Sequence, residues 1–230
     1  MNKLMCHILL ALLSLTTFAA PAWSDDAVWE AFVQAETHLL ALINGARIDP
    51  VQAMIEAGVD PGAVMAAFPE DAERLAGGMP PLVDDGRLKA AARAHTLDRL
   101  THNLYGHAGS DGRSYEERIE AAGYDATATG ETLGMIAFYN YIDPVAAAEA
   151  IFRNMLQEEL TPGTGARRNI LDPGLREIGI GFAAGQVEIN GRRYNAYMAT
   201  CDFGSTLVEN ITPRGDRKST RLNSSHGKLS

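Results

Sequence analysis

The chain has 230 residues, enough for one globular domain or two small ones. Apolar residues make up 46% of it and charged residues 21%, a balance that excludes a disordered or collagen-like chain. Residues 25–213 carry 14 basic and 28 acidic side chains, a net charge of −14 with histidine counted as neutral. Such a surface repels phosphate backbones and anionic membranes, so nucleic acid is not an expected partner.

The first residues have the composition of an export signal. Lys3 precedes an apolar run at residues 8–15, and small residues stand at Ala22 and Ser24, three positions and one position before the expected cut. This order is typical of a secretory signal peptide over residues 1–24, cleaved near Ser24. We therefore expect a secreted or periplasmic protein with no membrane span, because a spanning helix needs about 20 apolar residues.

The last residues differ from the body as well. Residues 214–230 are polar, basic and without periodicity, and most of them resemble a translated sequencing adaptor. We expect this tail to be non-native or disordered, and residues 27–212 to form one domain. Only Cys201 is left after signal cleavage, and its place in an alternating apolar run predicts a buried free thiol.

Helical patterns dominate the first half of the chain. Apolar residues recur at helical spacing from about Ala27 to Arg47 and predict a long amphipathic helix. Four Asp-Pro pairs each place a capping carboxylate beside a proline that suits the first helical turn. They predict helix starts at 49/50, 60/61, 143/144 and 172/173. The segment 51–78 is accordingly predicted to form two or three short helices.

Two further helices are predicted in the middle of the chain. One runs from about Gly86 to Leu104 and places His95 on its buried face, where we expect a hydrogen-bonded core histidine. The other begins at Ser114, since Ser114 and Glu117 have the spacing of a capping box.

The C-terminal third changes to the period of β-strands. Apolar residues alternate with glycine from residue 178 to 182, and Asn190-Gly191 supplies the positive φ angles of a tight hairpin turn. Residues 131–138 are predicted to form an additional strand. Helices followed by strands indicate an α+β fold, with helices packed on both faces of a small antiparallel sheet.

Polar residues that could carry chemistry are concentrated in three segments. His107 and Ser110 lie in a turn rich in glycine and aspartate, between two predicted helices. Glu131 stands at the entrance to an apolar strand. Asn169 precedes the hairpin, where it either lines a cleft or ties backbone segments together.

The order of the motifs resembles the CAP superfamily, also called SCP/PR-1-like or cysteine-rich secretory protein domains, and specifically its bacterial secreted branch. The matching segments run from about Leu39 to Ser205. They are AARAH (91–95), GHAGSDG (106–112), GET (130–132), NIL (169–171), EIGIGF (177–182) and YMATCDFG (197–204).

The resemblance implies an α-β-α sandwich with an open cleft lined by two histidines and two glutamates, which in some members binds a divalent metal such as zinc. His107 and Glu131 match one half of this set, and Glu158 or Glu159 is a candidate for the second carboxylate. No cofactor is required by this interpretation. The pair either holds zinc weakly, since catalytic zinc usually has three protein ligands, or forms a hydrogen bond that ties the loop to the sheet.

Three functions follow from these observations. The first is a non-catalytic exported module that binds a small apolar molecule, lipid or peptide in a cleft formed by His107, Glu131, Ser110 and Asn169. The second is a peptidase or esterase that uses His107 as general base or metal ligand, with Glu131 orienting it. The third is an envelope protein-interaction module whose contact surface is the helical segment 51–78.

Overall fold

The computed structural model describes residues 25–163 and 168–206. The predicted signal peptide and the predicted tail lie outside these residues. The helices of the described part are α1 (Asp25–Ile48), α2 (Pro50–Glu56), α3 (Pro61–Ala67), a 3-10 turn (Pro69–Asp71), α4 (Ala72–Gly77), α5 (Gly86–His102), α6 (Tyr115–Ala121) and α7 (Pro144–Leu160). Within the described ranges, no helix is both long and apolar enough to cross a membrane.

The strands form one sheet in the order β1-β3-β4-β2. Their bounds are β1 (Val83–Asp84), β2 (Ala128–Phe138), β3 (Glu177–Ile189) and β4 (Arg192–Ser205). Asn190 and Gly191, both at positive φ, connect β3 and β4 in the predicted hairpin, and β2 pairs antiparallel with the other side of β4. The predicted α+β class and the extra strand are confirmed. The short β1 pairs parallel with β3, so the sheet is mixed rather than purely antiparallel.

Three of the four predicted Asp-Pro helix starts are confirmed. Asp49, Asp60 and Asp143 each cap a helix by accepting a hydrogen bond from a backbone N–H of its first turn. The prediction at Asp172 is wrong. Its carboxylate accepts from the N–H of Gly174 in a tight turn, and the chain then enters β3 within a few residues, so a helix has no room to propagate.

One face of the sheet is covered by α5 and α6. The middle of this face is built of small residues, because the residues of β3 that point to it between 179 and 185 are all glycine or alanine. A side chain at Gly179 would lie 1.9 Å from the backbone nitrogen of Lys89, and one at Gly181 would lie 2.5 Å from that of Arg93. The glycines therefore allow α5 to pack directly on the backbone of β3, and this close packing brings the polar residues of α5 to the sheet.

The other face carries the main apolar core, covered by α1 and α7. Phe182 stacks on Tyr197 and contacts Phe32 of α1, and Gly134 of β2 accommodates Ile151 of α7. Cys201 is free and completely buried on this face, as predicted, and burial raises the pKa of its thiol well above the usual value. The arrangement is the expected α-β-α sandwich.

The buried guanidinium group of Arg47 connects the helical segment to the rest of the domain. Its nitrogens donate hydrogen bonds to four backbone carbonyl oxygens, those of Pro80, Ile170, Asp172 and Leu175, at 2.8 to 3.1 Å. Burial lowers the pKa of Arg47 to about 10, which leaves it charged at neutral pH. Arg47 at the end of α1 thus fixes two loops, one that contains Pro80 and one at residues 170–175. The sequence patterns do not predict the conformation of either loop.

Candidate functional site

The loop between α5 and α6 is anchored to the sheet at its first residue. Asn103 ends α5 in the left-handed conformation, with φ of 55°. Its side-chain oxygen accepts from the N–H of Glu188 at 2.8 Å, and its amide nitrogen donates to the carbonyl of the same residue at 3.1 Å. The loop is thus attached to β3, and the imidazole that follows has a defined position.

The hydroxyl group of Ser110 is used within this loop. It donates to Asp98 of α5 at 2.6 Å, and the backbone N–H of Ser110 donates to the other oxygen of the same carboxylate at 2.8 Å. The structure therefore places Ser110 in a turn that is attached to α5. Its hydrogen bonds run to Asp98 and not to His107, which does not favour Ser110 as a nucleophile.

His107 and Glu131 lie in direct contact. Nδ1 of His107 is 2.7 Å from Oε1 of Glu131. The carboxylate is completely buried at the start of β2, whereas about half of the imidazole surface (51%) is exposed to solvent. The pair thus presents one ring nitrogen to the protein interior and leaves Nε2 on the accessible side.

Arg118 of α6 holds both members of this pair. Its Nη2 donates to Oε2 of Glu131 at 2.6 Å, and its Nη1 donates to the backbone carbonyl of His107 at 2.8 Å. Burial opposes the ionisation of Glu131, but the hydrogen bond to His107 and the charge of Arg118 outweigh it and lower the pKa of Glu131. Glu131 is therefore an ionised carboxylate in the interior.

His95 and Asp202 lie beneath the pair. His95 is buried as predicted, with Nε2 3.9 Å from Oε2 of Glu131. Burial lowers its pKa to about 4, against the opposing influence of Glu131 and of the Gly106 backbone, so it is neutral at pH 7. Among the described residues no hydrogen bond of normal geometry reaches either ring nitrogen. The expected burial of His95 is confirmed, and its expected hydrogen bond, with the Gly106 backbone as the candidate partner, stays a prediction.

Asp202 is the cross-strand neighbour of Glu131. Paired residues of adjacent antiparallel strands point to the same face, and Asp202 of β4 stands directly opposite Glu131 of β2. Its side chain is completely buried, and neither oxygen accepts a hydrogen bond from a donor in the described part of the chain. Burial and the negative charge of Glu131 raise the pKa of Asp202 well above its usual value.

Asn169 lies on the opposite face of the sheet. Its amide nitrogen donates to the backbone carbonyl of Glu131 at 2.9 Å and to the hydroxyl of Thr132 at 3.1 Å, and a side chain at Gly130 would collide with it. Since Gly130 and Thr132 alternate with Glu131 along β2, Asn169 faces away from the Glu131 carboxylate. The structure therefore ties Asn169 to backbone and does not bring it to the His107 side.

Glu159 is also on that opposite face. Its carboxyl group accepts hydrogen bonds from the backbone N–H of Ile170 and from the hydroxyl of Thr132, both at about 3 Å. The second carboxylate that the resemblance suggested is thus separated from Glu131 by the strand itself. The cluster around Glu131 consists of His107, Arg118, His95 and Asp202, and among these His107 alone is largely exposed to solvent.

The donor atoms of this cluster do not suit a divalent metal. Both oxygens of Glu131 are engaged, one by His107 and the other by the guanidinium group of Arg118, whose positive charge repels a cation. His95 is buried behind Arg118, and the described residues contain no group of three histidine, cysteine, aspartate or glutamate side chains placed to hold a metal. Only Nε2 of His107 is available, one donor where three are usual.

A separate hollow of about 530 Å³ opens on the other side of α6. Its floor is apolar, formed by Ile119, Tyr124 and Ala126, and its rim carries the carboxylates of Glu120 and Asp125. Helix α6 lies between the hollow and the His107–Glu131 pair. Its residue Arg118 faces the Glu131 carboxylate, whereas the next residue, Ile119, faces the hollow.

The sequence motifs do not point to Asp202, and the helical pattern places His95 in the core alone. A signal for Asp202 was present, since Met198, Thr200 and Asp202 share one face of β4 by strand alternation. An aspartate at a sheet position that a helix covers is a conspicuous exception to that pattern.

The fold and this arrangement define an α-β-α domain with a histidine and a glutamate at one edge of the central sheet. The profile of CAP, the cysteine-rich secretory protein family, matches residues 40–203. The chain therefore belongs to this family. Among curated proteins no match was found.

Two solved structures are similar to the chain. One is an extracellular protein containing an SCP domain from Bacillus anthracis, with 13% identity and a TM-score of 0.47, covering 81% of this chain and 45% of that protein. The other is an outer surface protein of Borrelia burgdorferi, with 16% identity and a TM-score of 0.36, covering 64% of this chain and 96% of that protein. The chain spans less than half of the Bacillus anthracis protein.

Proposed function

We propose that the chain is an exported CAP-domain protein that binds a small apolar molecule, lipid or peptide non-catalytically, with His107 as the polar contact. The observation that carries this proposal is the geometry of the imidazole. One nitrogen is attached to a buried carboxylate, and the other, Nε2, is accessible and has no partner among the described residues. An oriented hydrogen-bonding group on a loop anchored to a rigid sheet is what a ligand site requires.

The positions of the two nucleophile candidates in the described part of the chain, Ser110 and Cys201, support binding rather than covalent catalysis in this proposal. The hydroxyl of Ser110 is bound to Asp98, and the thiol of Cys201 is buried on the other face of the sheet. Apolar contact for a ligand is available beside the imidazole, where the ring of Tyr115 lies 6.2 Å from that of His107. The acidic surface disfavours nucleic acid as a partner.

The ligand experiment compares the lipids and small molecules that co-purify with the protein. Wild type is expected to carry a species that His107→Ala and Glu131→Ala lose, as measured by mass spectrometry of extracts. His38→Ala is the matched control, because His38 forms a second histidine–glutamate pair with Glu149 at 3.0 Å on another surface. Equal enrichment in all four proteins contradicts binding at His107.

The hollow beside α6 is the competing location. Ala126→Trp fills it without touching the histidine pair. If this variant loses the ligand and His107→Ala retains it, the ligand binds in the hollow and the proposal is wrong about the site.

A hydrolase is the second candidate, and one observation favours it. A carboxylate at Nδ1 is the arrangement that orients a histidine as general base, with Nε2 free to take a proton from water. Ester and peptide substrates are tested with and without added zinc. Turnover that disappears in His107→Ala but persists in His38→Ala supports this candidate; turnover equal to that of His107→Ala excludes it for those substrates.

Export is part of this proposal, and an envelope protein-interaction module is the third candidate function. Detection of the protein outside the cytoplasm, with a mature N-terminus near Ser24, tests export. The envelope-interaction function is tested by reversing surface charges on the helical segment 51–78. Loss of a cross-linked envelope partner in those variants, but not in His107→Ala, favours an interaction module.

A further inference from the structure

The central sheet has two edges, and the edge formed by β3 is interrupted by several contacts. The short strand β1 pairs with the start of β3. Further along, the carboxylate of Glu36 accepts a hydrogen bond from the N–H of Phe182 at 3.2 Å. Asn103 then binds both the N–H and the C=O of Glu188. The edge of β3 therefore offers no continuous run of free backbone groups to an additional strand.

The other edge is β2, the last strand of the sheet. In an antiparallel ladder, successive residues direct their backbone groups alternately toward the neighbouring strand and away from it. The carbonyl of Glu131 accepts a hydrogen bond from the side chain of Asn169, so it points away from β4. Leu133, Met135 and Ala137 follow at the same alternation, and their N–H and C=O groups point outward too. In the described part of the chain, none of these groups has a hydrogen-bond partner.

The open edge of β2 (residues 133–137) lacks the features that usually prevent strands from pairing. Natural proteins protect exposed edges with lysine, proline or a bulge. Residues 132–138 contain neither a charged residue nor a proline. Every residue of β2 pairs in register with β4, so no bulge twists the edge away. The side chains at the open edge are apolar and only partly buried. This edge is therefore a template for one more strand.

The position of the open edge suits a symmetrical partner. We propose that it pairs antiparallel with the same edge of a second copy of the chain, about a two-fold axis at Met135. The free run lies between Glu131, whose carbonyl is occupied by Asn169, and the end of β2, and Met135 is at its centre. In this register Met135 stands opposite its own copy and Leu133 stands opposite Ala137. All outward-pointing backbone groups of both runs then form hydrogen bonds.

Side-chain size and charge also favour a second copy as the partner. In the same register a large side chain stands opposite a small one at two positions, Leu133 opposite Ala137 and Ile136 opposite Gly134. Methionine, which meets itself at the axis, adapts its shape readily. Residues 25–213 carry a net charge of −14, but the run itself is uncharged, so two copies bring no like charges into opposition there.

Pairing through β2 produces a closed dimer. In the described part of the chain each copy has one open edge, because Glu36 and Asn103 interrupt the edge of β3. Two copies therefore join their four-stranded sheets into one and leave no comparable run for a third copy. Such a dimer forms whether or not His107 binds a ligand, so its test is independent of the proposed binding function.

Amide hydrogen exchange measures the pairing residue by residue. The purified protein is compared by NMR at concentrations below and above the midpoint of dimer formation. We expect the amides of Leu133, Met135 and Ala137 to exchange about tenfold more slowly, or slower still, in the dimer. The amides of Gly134 and Ile136, which pair with β4, are expected to be protected in both samples. Fast exchange of the first three amides in the dimer, or their protection in the monomer, overturns the inference.

Two substitutions at Ala137 test the interface by sedimentation. Ala137→Pro removes an outward N–H that β2 does not use for pairing with β4, and Ala137→Lys adds a charge to the edge. Each is expected to weaken the dimer about tenfold or more, because the substitution acts twice across the two-fold axis. The matched controls are Ala184→Pro and Ala184→Lys, at an exposed alanine of the β3 edge, and they are expected to dimerise like wild type. Equal weakening at both positions overturns the assignment of the interface to β2.

Unfolding midpoints separate a defect of the interface from a defect of the fold. If Ala137→Pro does not fold, Ala137→Lys decides, because it leaves the backbone of β2 unchanged. Both copies are acidic, so added salt is expected to strengthen the dimer, and a dimer that weakens with salt contradicts pairing through an uncharged run. A protein that stays monomeric up to its solubility limit overturns the inference. Exchange that slows only when a different envelope protein is added assigns the edge to that partner and overturns it equally.

Discussion

Glu159→Gln is expected to remove a pH dependence from the stability of the protein. The carboxyl group of Glu159 is buried, and its hydrogen-bond donors are the neutral N–H of Ile170 and the neutral hydroxyl of Thr132. Burial raises its pKa from 4.5 to about 8 despite these hydrogen bonds. The folded protein therefore holds a proton at neutral pH that the unfolded chain releases.

The sign and size of the effect follow from that difference. The folded state has the higher pKa, so the stabilising contribution is complete below pH 4.5 and is lost as the pH rises through about 8. Each pH unit inside this window corresponds to about 1.4 kcal/mol, which puts the whole window on the order of 5 kcal/mol. Between about pH 5.5 and 7.5, the titration of Glu159 is expected to lower the free energy of unfolding by roughly 3 kcal/mol.

Urea unfolding of wild type and Glu159→Gln across this pH range measures the loss. The free energy of unfolding of wild type is expected to fall relative to that of the variant as the pH rises. Glu158→Gln, the same change at an exposed neighbour, is expected to follow wild type. His95 titrates in wild type and variant alike, so its contribution cancels. A difference between wild type and Glu159→Gln that stays constant across the range refutes the reasoning.

Three further outcomes are expected. Gly179→Ala places a Cβ 1.9 Å from the backbone of Lys89 and is expected to lower the free energy of unfolding by about 3 kcal/mol or more, as measured by urea unfolding. Gly185→Ala meets only a leucine side chain at 3.0 Å and is expected to cost about 1 kcal/mol in the same assay; equal losses in the two variants contradict the close packing of α5 on Gly179. Arg47→Lys replaces a group that binds four carbonyls by one that reaches fewer, with an expected loss of about 3–5 kcal/mol in urea unfolding; an unchanged midpoint contradicts the role given to this residue. Cys201 is expected to react with a maleimide only in denaturant, and labelling of the folded protein, located by peptide mass spectrometry, contradicts its burial.

Local signals predicted most of the fold, because they act within a few residues. The capping box at Ser114 and Glu117 forms as expected, since both hydrogen bonds join residues three apart. The hairpin turn at Asn190-Gly191 likewise depends only on positive φ at two adjacent positions. Asp172-Pro173 has the same pattern as the predicted helix starts that are confirmed. The structure forms a turn there instead, because Gly174 and the nearby strand leave no room for a helix.

The site required information that lies between distant segments. Glu131 and Asp202 are adjacent because of the register of β2 on β4, and a shift of one residue would place one of them on the opposite face. Neither composition nor alternation determines that register. His107 and Glu131 were assigned through the family resemblance, whereas Asn169 was placed beside them in sequence analysis without any means of deciding its face.

Glu131 of β2 and Glu159 of α7 are both buried, and their carboxyl groups lie on opposite sides of β2. The difference between them shows why residue type alone does not identify the site. Glu131 projects from β2 toward Arg118 and His107, and a guanidinium charge together with an imidazole hydrogen bond lowers its pKa. Glu159 reaches the other side of the strand and meets a hydroxyl group and a backbone N–H, so burial raises its pKa to about 8. Their partners make one an ionised anchor for an exposed histidine and the other a neutral structural group. A second ionised carboxylate at this site would need a cation of its own, because Arg118 is already engaged by Glu131.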